Sequence, residues 1–131
     1  MACSCIRTEF GKRDYDKPMK IVTGKVVAVK IDQVKRQKVI TLKVHRTLKG
    51  THQKNIELRT PISSASCGVG VSKGDKWLFF VYDFENSNHI SLCSKHVRYN
   101  RRPKQDRKSF VANRKKLSRY IKKIKSYQNG R

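Results

Sequence analysis

Acidic residues are few in this chain: nine Asp and Glu stand against 32 Lys and Arg in 131 residues, a formal charge of +23 at pH 7. With so few carboxylates, no pair is placed for general acid and base work, and no Ser/His/Asp constellation offers itself. The chain is therefore not expected to be an enzyme. His45, His52, His89 and His96 are scattered, and no catalytic or metal role is assigned to any of them. No apolar run approaches the roughly 18 residues of a membrane span. A secretory leader is missing too, since the chain opens Met1-Ala2-Cys3 without a charged start or an apolar stretch. That leaves either a cytosolic protein or a mature form whose leader has been replaced by Met-Ala. No internal repeat is visible, and the length suits one domain over residues 1–131.

The charge that is present is unevenly placed. Residues 94–131 hold 15 Lys and Arg against the single Asp106, whereas residues 1–93 hold 17 against eight acids. A field of that strength attracts polyanions such as heparan sulfate, nucleic acid or anionic lipid, and the attraction falls with salt. Arg101, Arg102, Lys115, Lys116, Lys122 and Lys123 are the candidate polyanion-binding residues. Solubility alone is the plainer reading of the same charge.

Most of the first 97 residues read as β-structure. Ile21–Ile31 is rich in β-branched residues, with Gly24 placed for a bend or bulge. Asp32 to Gln37 reads as a turn. Lys38–Leu48 and Asn55–Thr60 alternate as second and third strands, separated by a turn at Lys49-Gly50-Thr51. Pro61 to Gly70 is a small-residue loop. Lys76–Tyr82 is the most apolar strand, and His89–Leu92 reads as the fifth. The predicted class is thus mainly β, a five-stranded OB-type Greek-key barrel over residues 3–97. Trp77, Phe79, Phe80 and Tyr82 are read as its core, in preference to a base-stacking platform. Residues 98–131 form a basic tail in which Phe110, Leu117, Ile121 and Ile124 make one helical stripe, predicted to pack on the barrel. Pro103 and Asp106 stand where that helix should begin.

Four cysteines, Cys3, Cys5, Cys67 and Cys93, allow three connectivities. Cys-x-Cys is too tight to close easily on itself, so each member is expected to reach a different distant cysteine. Free thiols, or a zinc site shared with a histidine, are the alternatives. Only one close cysteine pair is present, where structural zinc usually shows two. Two disulfides would imply an oxidising compartment, hence secretion.

Cys3-Ser4-Cys5, Leu48-Lys49-Gly50, Asn55-Ile56-Glu57-Leu58, Thr60 to Val69 and His89-Ile90-Ser91-Leu92-Cys93 occur in an order and spacing that resemble the inhibitory, netrin-like domain of the tissue inhibitors of metalloproteinases (TIMPs). The resemblance covers about residues 3–97. It implies disulfides Cys3–Cys67 and Cys5–Cys93, and an inhibitory edge of Cys3, Ser4, Cys5, Ser63, Ser64, Ala65, Ser66 and Cys67. It further implies a secreted protein without a cofactor or metal of its own, whose partners are zinc metalloproteinases of the matrix type. In that family the α-amino nitrogen and carbonyl oxygen of the first cysteine ligate the target's zinc. Here those atoms belong to Cys3, so residues ahead of it should abolish chelation. The chain departs from the family in lacking a third disulfide, in its short Asp32–Gln37 turn, in the basic helix that stands in place of a second domain, and in Met1-Ala2. A heparan-sulfate-binding netrin-like module without protease inhibition is the alternative function. A reduced, cytosolic, nucleic-acid-binding OB protein is a third reading. A monomer without a membrane span is expected in the secreted case.

Overall fold

The structure, a computed structural model, describes residues 3–6 and 8–129. It is mainly β, with six strands and one long C-terminal helix. The strands are β1 (Lys20–Asp32), β2 (Gln37–Lys49), β3 (Asn55–Pro61), β4 (Lys76–Phe84), β5 (Ser87–His89) and β6 (Val97–Arg98). They form one sheet in the order β1-β2-β3-β5-β4-β6, and a further β1–β4 pairing closes the first five into a ring. β3 and β5 meet in parallel through Arg59 and His89, while the other pairings are antiparallel.

β1 serves two neighbours along its length, pairing β2 throughout and β4 from Lys20 to Lys25. A register shift between Thr23 and Gly24 bends it there. A Cβ at Gly24 would run into the carbonyl oxygen of Lys43 on β2, so glycine permits the close approach. In the β1–β2 turn, Asp32 Oδ1 accepts from the amides of Val34 and Lys35, each at 3.1 Å.

Two apolar clusters hold the molecule together. The first gathers Val22 and Val26 from β1, Ile40, Leu42 and Val44 from β2, Ile56 and Leu58 from β3, Phe79 and Val81 from β4, and also Val69, Val71 and Ile90. The second lies under the helix and takes Ile21, Leu48, Leu78, Phe80 and Val97 together with Phe10, Tyr120 and Ile124. β4 therefore buries both faces, which is why it reads as a continuous apolar run.

α1 (Lys12–Asp16) is a short helix ahead of β1. Asp14 Oδ2 accepts from the Gly11 amide at 2.9 Å at its start. At its end Lys49 Nζ donates to the carbonyls of Tyr15, Asp16 and Pro18 at 2.6, 2.8 and 2.8 Å. Burial pushes the Lys49 ammonium below its ordinary pKa. α2 (Arg107–Asn129) begins where Asp106 Oδ1 accepts from the Ser109 amide at 2.7 Å, an N-cap. Leu117, Ile121 and Ile124 face the sheet as expected. Phe110 is half-buried and stands outside that cluster, whereas Tyr120 is a buried member that the predicted stripe omitted.

The fifth strand is a correction. It occupies Ser87–His89, not His89–Leu92. Ile90 and Leu92 direct their amides away from β4, to the carbonyls of Arg59 at 3.0 Å and Cys67 at 2.9 Å. Their apolar side chains imitate a strand's alternation, but the backbone there ties loops together. No helix of the described residues is long and apolar enough to cross a membrane.

Candidate functional site

The four cysteines meet at one end of the sheet. Cys3 is bonded to Cys67 and Cys5 to Cys93, with Cα–Cα separations of 5.1 and 5.3 Å. The two bridges adjoin: Cys93 Sγ lies 3.8 Å from both Cys3 Sγ and Cys67 Sγ. All four sulfurs fall within 4.8 Å of one another, and none is a free thiol. Bonded in pairs, they offer no thiolate to a metal.

Cys3-Ser4-Cys5 is thereby fastened between two loops of distant origin. One is the segment from Ser63 to Cys67. Ser63 Oγ accepts from the Ala65 amide at 3.1 Å, opening a single 3₁₀ turn over Ser64–Ser66. Cys67 closes that turn in the left-handed region, at φ 69°. Gly68 follows at a point where any side chain would meet the carbonyl oxygens of Pro61 and Ser63. Val69 then donates to the buried Thr60 Oγ1 at 3.0 Å, anchoring the loop to β3. Ser4 and Ser63, Ser64, Ala65 and Ser66 are exposed.

The other loop, Ile90 to Ser94, carries Cys93 and lies against the same edge. Beside the bridges runs a cleft of about 670 Å³ lined by Cys3, Ser4, Cys5, Leu92, Lys116 and Tyr120 among others. Ile6, 90% exposed, and Leu92, 46% exposed, add two apolar side chains to a lining that also holds Lys95 and Lys116. These two apolar residues were not among the predicted edge residues. Their only signal was position, Ile6 following Cys5 and Leu92 preceding Cys93. Met1 and Ala2, on which the expected block of chelation rests, lie outside the described residues.

The predicted polyanion residues divide. Lys115, Lys116 and Lys122 are exposed on α2, and Arg101 is exposed ahead of it. Arg102 is engaged, donating through Nη2 at 2.5 Å and Nε at 3.3 Å to the carboxylate of the buried Asp75. It also donates at 2.8 Å to the Gly70 carbonyl. Lys123 donates to the Phe10 carbonyl at 3.0 Å, fastening the N-terminal segment to α2. Asp75, unremarked in the sequence, is the hub of this corner. It also accepts from Trp77 Nε1 at 3.2 Å and from the Ser72 amide at 2.9 Å. Burial pushes its carboxyl up, but the hydrogen bonds from Arg102, Ser72 and Trp77 outweigh that and hold it below the ordinary value.

His96 fills a gap in the sheet. On the edge of β4 away from β1, Phe80 falls between the β5 and β6 pairings, and its amide donates to His96 Nδ1 at 3.0 Å. Burial pushes the imidazole pKa down to about 3, so the ring stays neutral and accepts this bond. No family model matches the chain, and no curated protein matches it.

Proposed function

We propose that this is a secreted inhibitor of zinc metalloproteinases of the tissue-inhibitor type, its ring of strands an OB-type, netrin-like Greek-key barrel. The observation that carries the reading is the fastening of Cys3-Ser4-Cys5 beside Ser63–Cys67 through two adjoining disulfides. An inhibitor that enters a narrow active-site cleft needs an exposed edge made of small residues and already ordered. Ser4, Ser63, Ser64, Ala65 and Ser66 are exposed and small. Two covalent ties and the hydrogen bonds at Ser63 and Val69 fix them before binding, which lowers the ordering cost. Two disulfides without a free thiol also favour an oxidising, extracellular setting.

The chemistry assigned to the edge belongs to Cys3. Its α-amino group, unperturbed near pKa 8, loses its proton readily to a competing metal when Cys3 is the first residue. The free amine and the Cys3 carbonyl then ligate the target's zinc, Ser4 enters the pocket beyond it, and the Ser63–Ser66 loop lies along the cleft. With Met1-Ala2 ahead, the same nitrogen is an amide and a poor ligand.

The test is a titration of a matrix metalloproteinase with protein beginning at Cys3. Inhibition at or below about 1 μM is expected, and its loss on acetylating the Cys3 amine. No inhibition by the unmodified protein at that concentration would sink the proposal.

A further inference from the structure

The exposed face of α2 has a second character, independent of the disulfide edge. Over Arg107–Asn129 the helix has no acidic residue. Tyr120 and Ile124 are buried against the sheet, so the opposite side of the helix faces water. Lys108, Lys115 and Lys122 recur at intervals of seven and so form a single line, with Arg119 beside it, and all four are exposed. At about 1.5 Å per residue the line runs roughly 21 Å. None of these four makes a hydrogen bond or ion pair with a carboxylate among the described residues, in contrast to Arg102. Lys115 and Arg119, four residues apart, repel each other and gain nothing for the helix itself.

We propose that this outward line of α2 docks a sulfated polysaccharide of the glycosaminoglycan type. Charge complementarity calls for a polyanion with repeated anionic groups along an extended chain. Two observations favour a polysaccharide over a nucleic acid. Phe84, on β4, is the single aromatic among the exposed large hydrophobics of the described residues, so the outward line of α2 carries no exposed ring for stacking bases. Tyr120, on α2, is buried with Arg119 5.6 Å from its ring, and Tyr99 has Arg114 at 5.9 Å. The disulfides, in turn, suit the compartment in which sulfated polysaccharides occur. Lys116 lines the cleft beside the bridges and stands outside the line.

The experiment is binding of the full chain to heparin near 0.15 M salt, where the Debye length is about 8 Å. It compares a variant carrying Lys108→Gln, Lys115→Gln, Arg119→Gln and Lys122→Gln with one losing the same charge from the sheet and the turn before β3, Lys25→Gln, Lys43→Gln, Arg46→Gln and Lys54→Gln. These positions are all exposed, so both variants should melt close to the parent, the helix variant losing only the Arg119 contact with the Tyr120 ring. The helix variant is expected to weaken binding at least about tenfold, and the sheet variant to weaken it far less. Equal losses would show that net charge alone binds heparin, and would overturn the proposal. So would absence of heparin binding by the parent, or tighter binding of a DNA duplex that the helix variant abolishes. The readout does not involve a protease, so failure of the inhibitor reading leaves it intact.

Discussion

The two apolar clusters are built on different principles. The first draws chiefly on strands adjoining in the sheet, and its members are mostly aliphatic, Val, Ile and Leu around Phe79. The second joins the two ends of the chain. Phe10 packs on Tyr120 at 4.8 Å between ring centroids, on Phe80 at 5.7 Å and on Tyr127 at 6.3 Å. The sheet could assemble around the first cluster alone, whereas the second exists only once α2 and the N-terminal segment have come together. The difference teaches that this molecule has an inner tier that makes the fold and an outer tier that fixes the functional edge upon it.

Several perturbations would break or sharpen that division. Reduction of both disulfides should have the largest effect, because the bridges close sequence separations of 64 and 88 residues. In the chain-entropy picture each contributes about 4–5 kcal/mol, and thermal melts with and without reductant measure the loss. Next, Phe79→Ala should cost about 3–5 kcal/mol and lower every probe of unfolding together. Ile124→Ala, at about 2–5 kcal/mol, should instead raise hydrogen exchange in α2 first while β1 and β4 stay protected. Equal exchange in both regions would erase the distinction between tiers.

Asp75→Asn should cost about 2 kcal/mol, since Arg102, Trp77 and the Ser72 amide lose a charged acceptor together. Urea unfolding gives the figure. Acid should act through His96. Its folded pKa of about 3 lies below the ordinary value of 6.5, so the unfolded chain takes up the proton first. Stability is then full above pH 6.5 and falls by about 1.4 kcal/mol per pH unit below it, toward pH 3. His96→Gln should flatten that slope in urea titrations at pH 7 and pH 5. At the bottom of the scale, Lys122→Gln should leave stability within about 0.5 kcal/mol.

What could be read from the sequence follows the same two tiers. β1 to β4 were legible because each repeats its own local pattern, and Lys76–Tyr82 is apolar on both faces. The start of α2 was legible in Asp106, since an N-cap acts over three residues. α1 was not, because its last carbonyls are held by Lys49 from another strand. β5 was misplaced because Ser87-Asn88-His89 carries no apolar alternation and owes its pairing to the turn after β4. For the candidate site, composition marked Arg102 and Lys123 as free cations. Their partners, Asp75 and the Phe10 carbonyl, lie 27 and 113 residues away, and no local pattern announces them.

The adjoining bridges carry one more consequence, for how the chain responds to cutting. Cys3 and Cys5 are each bound to the body of the protein through sulfur, independently of the peptide bonds that follow them. A protease that nicks the backbone between Cys5 and Phe10 would therefore release nothing: the short N-terminal peptide stays attached at both cysteines. The molecule would gain one water and keep its edge, and the two pieces would part only after reduction.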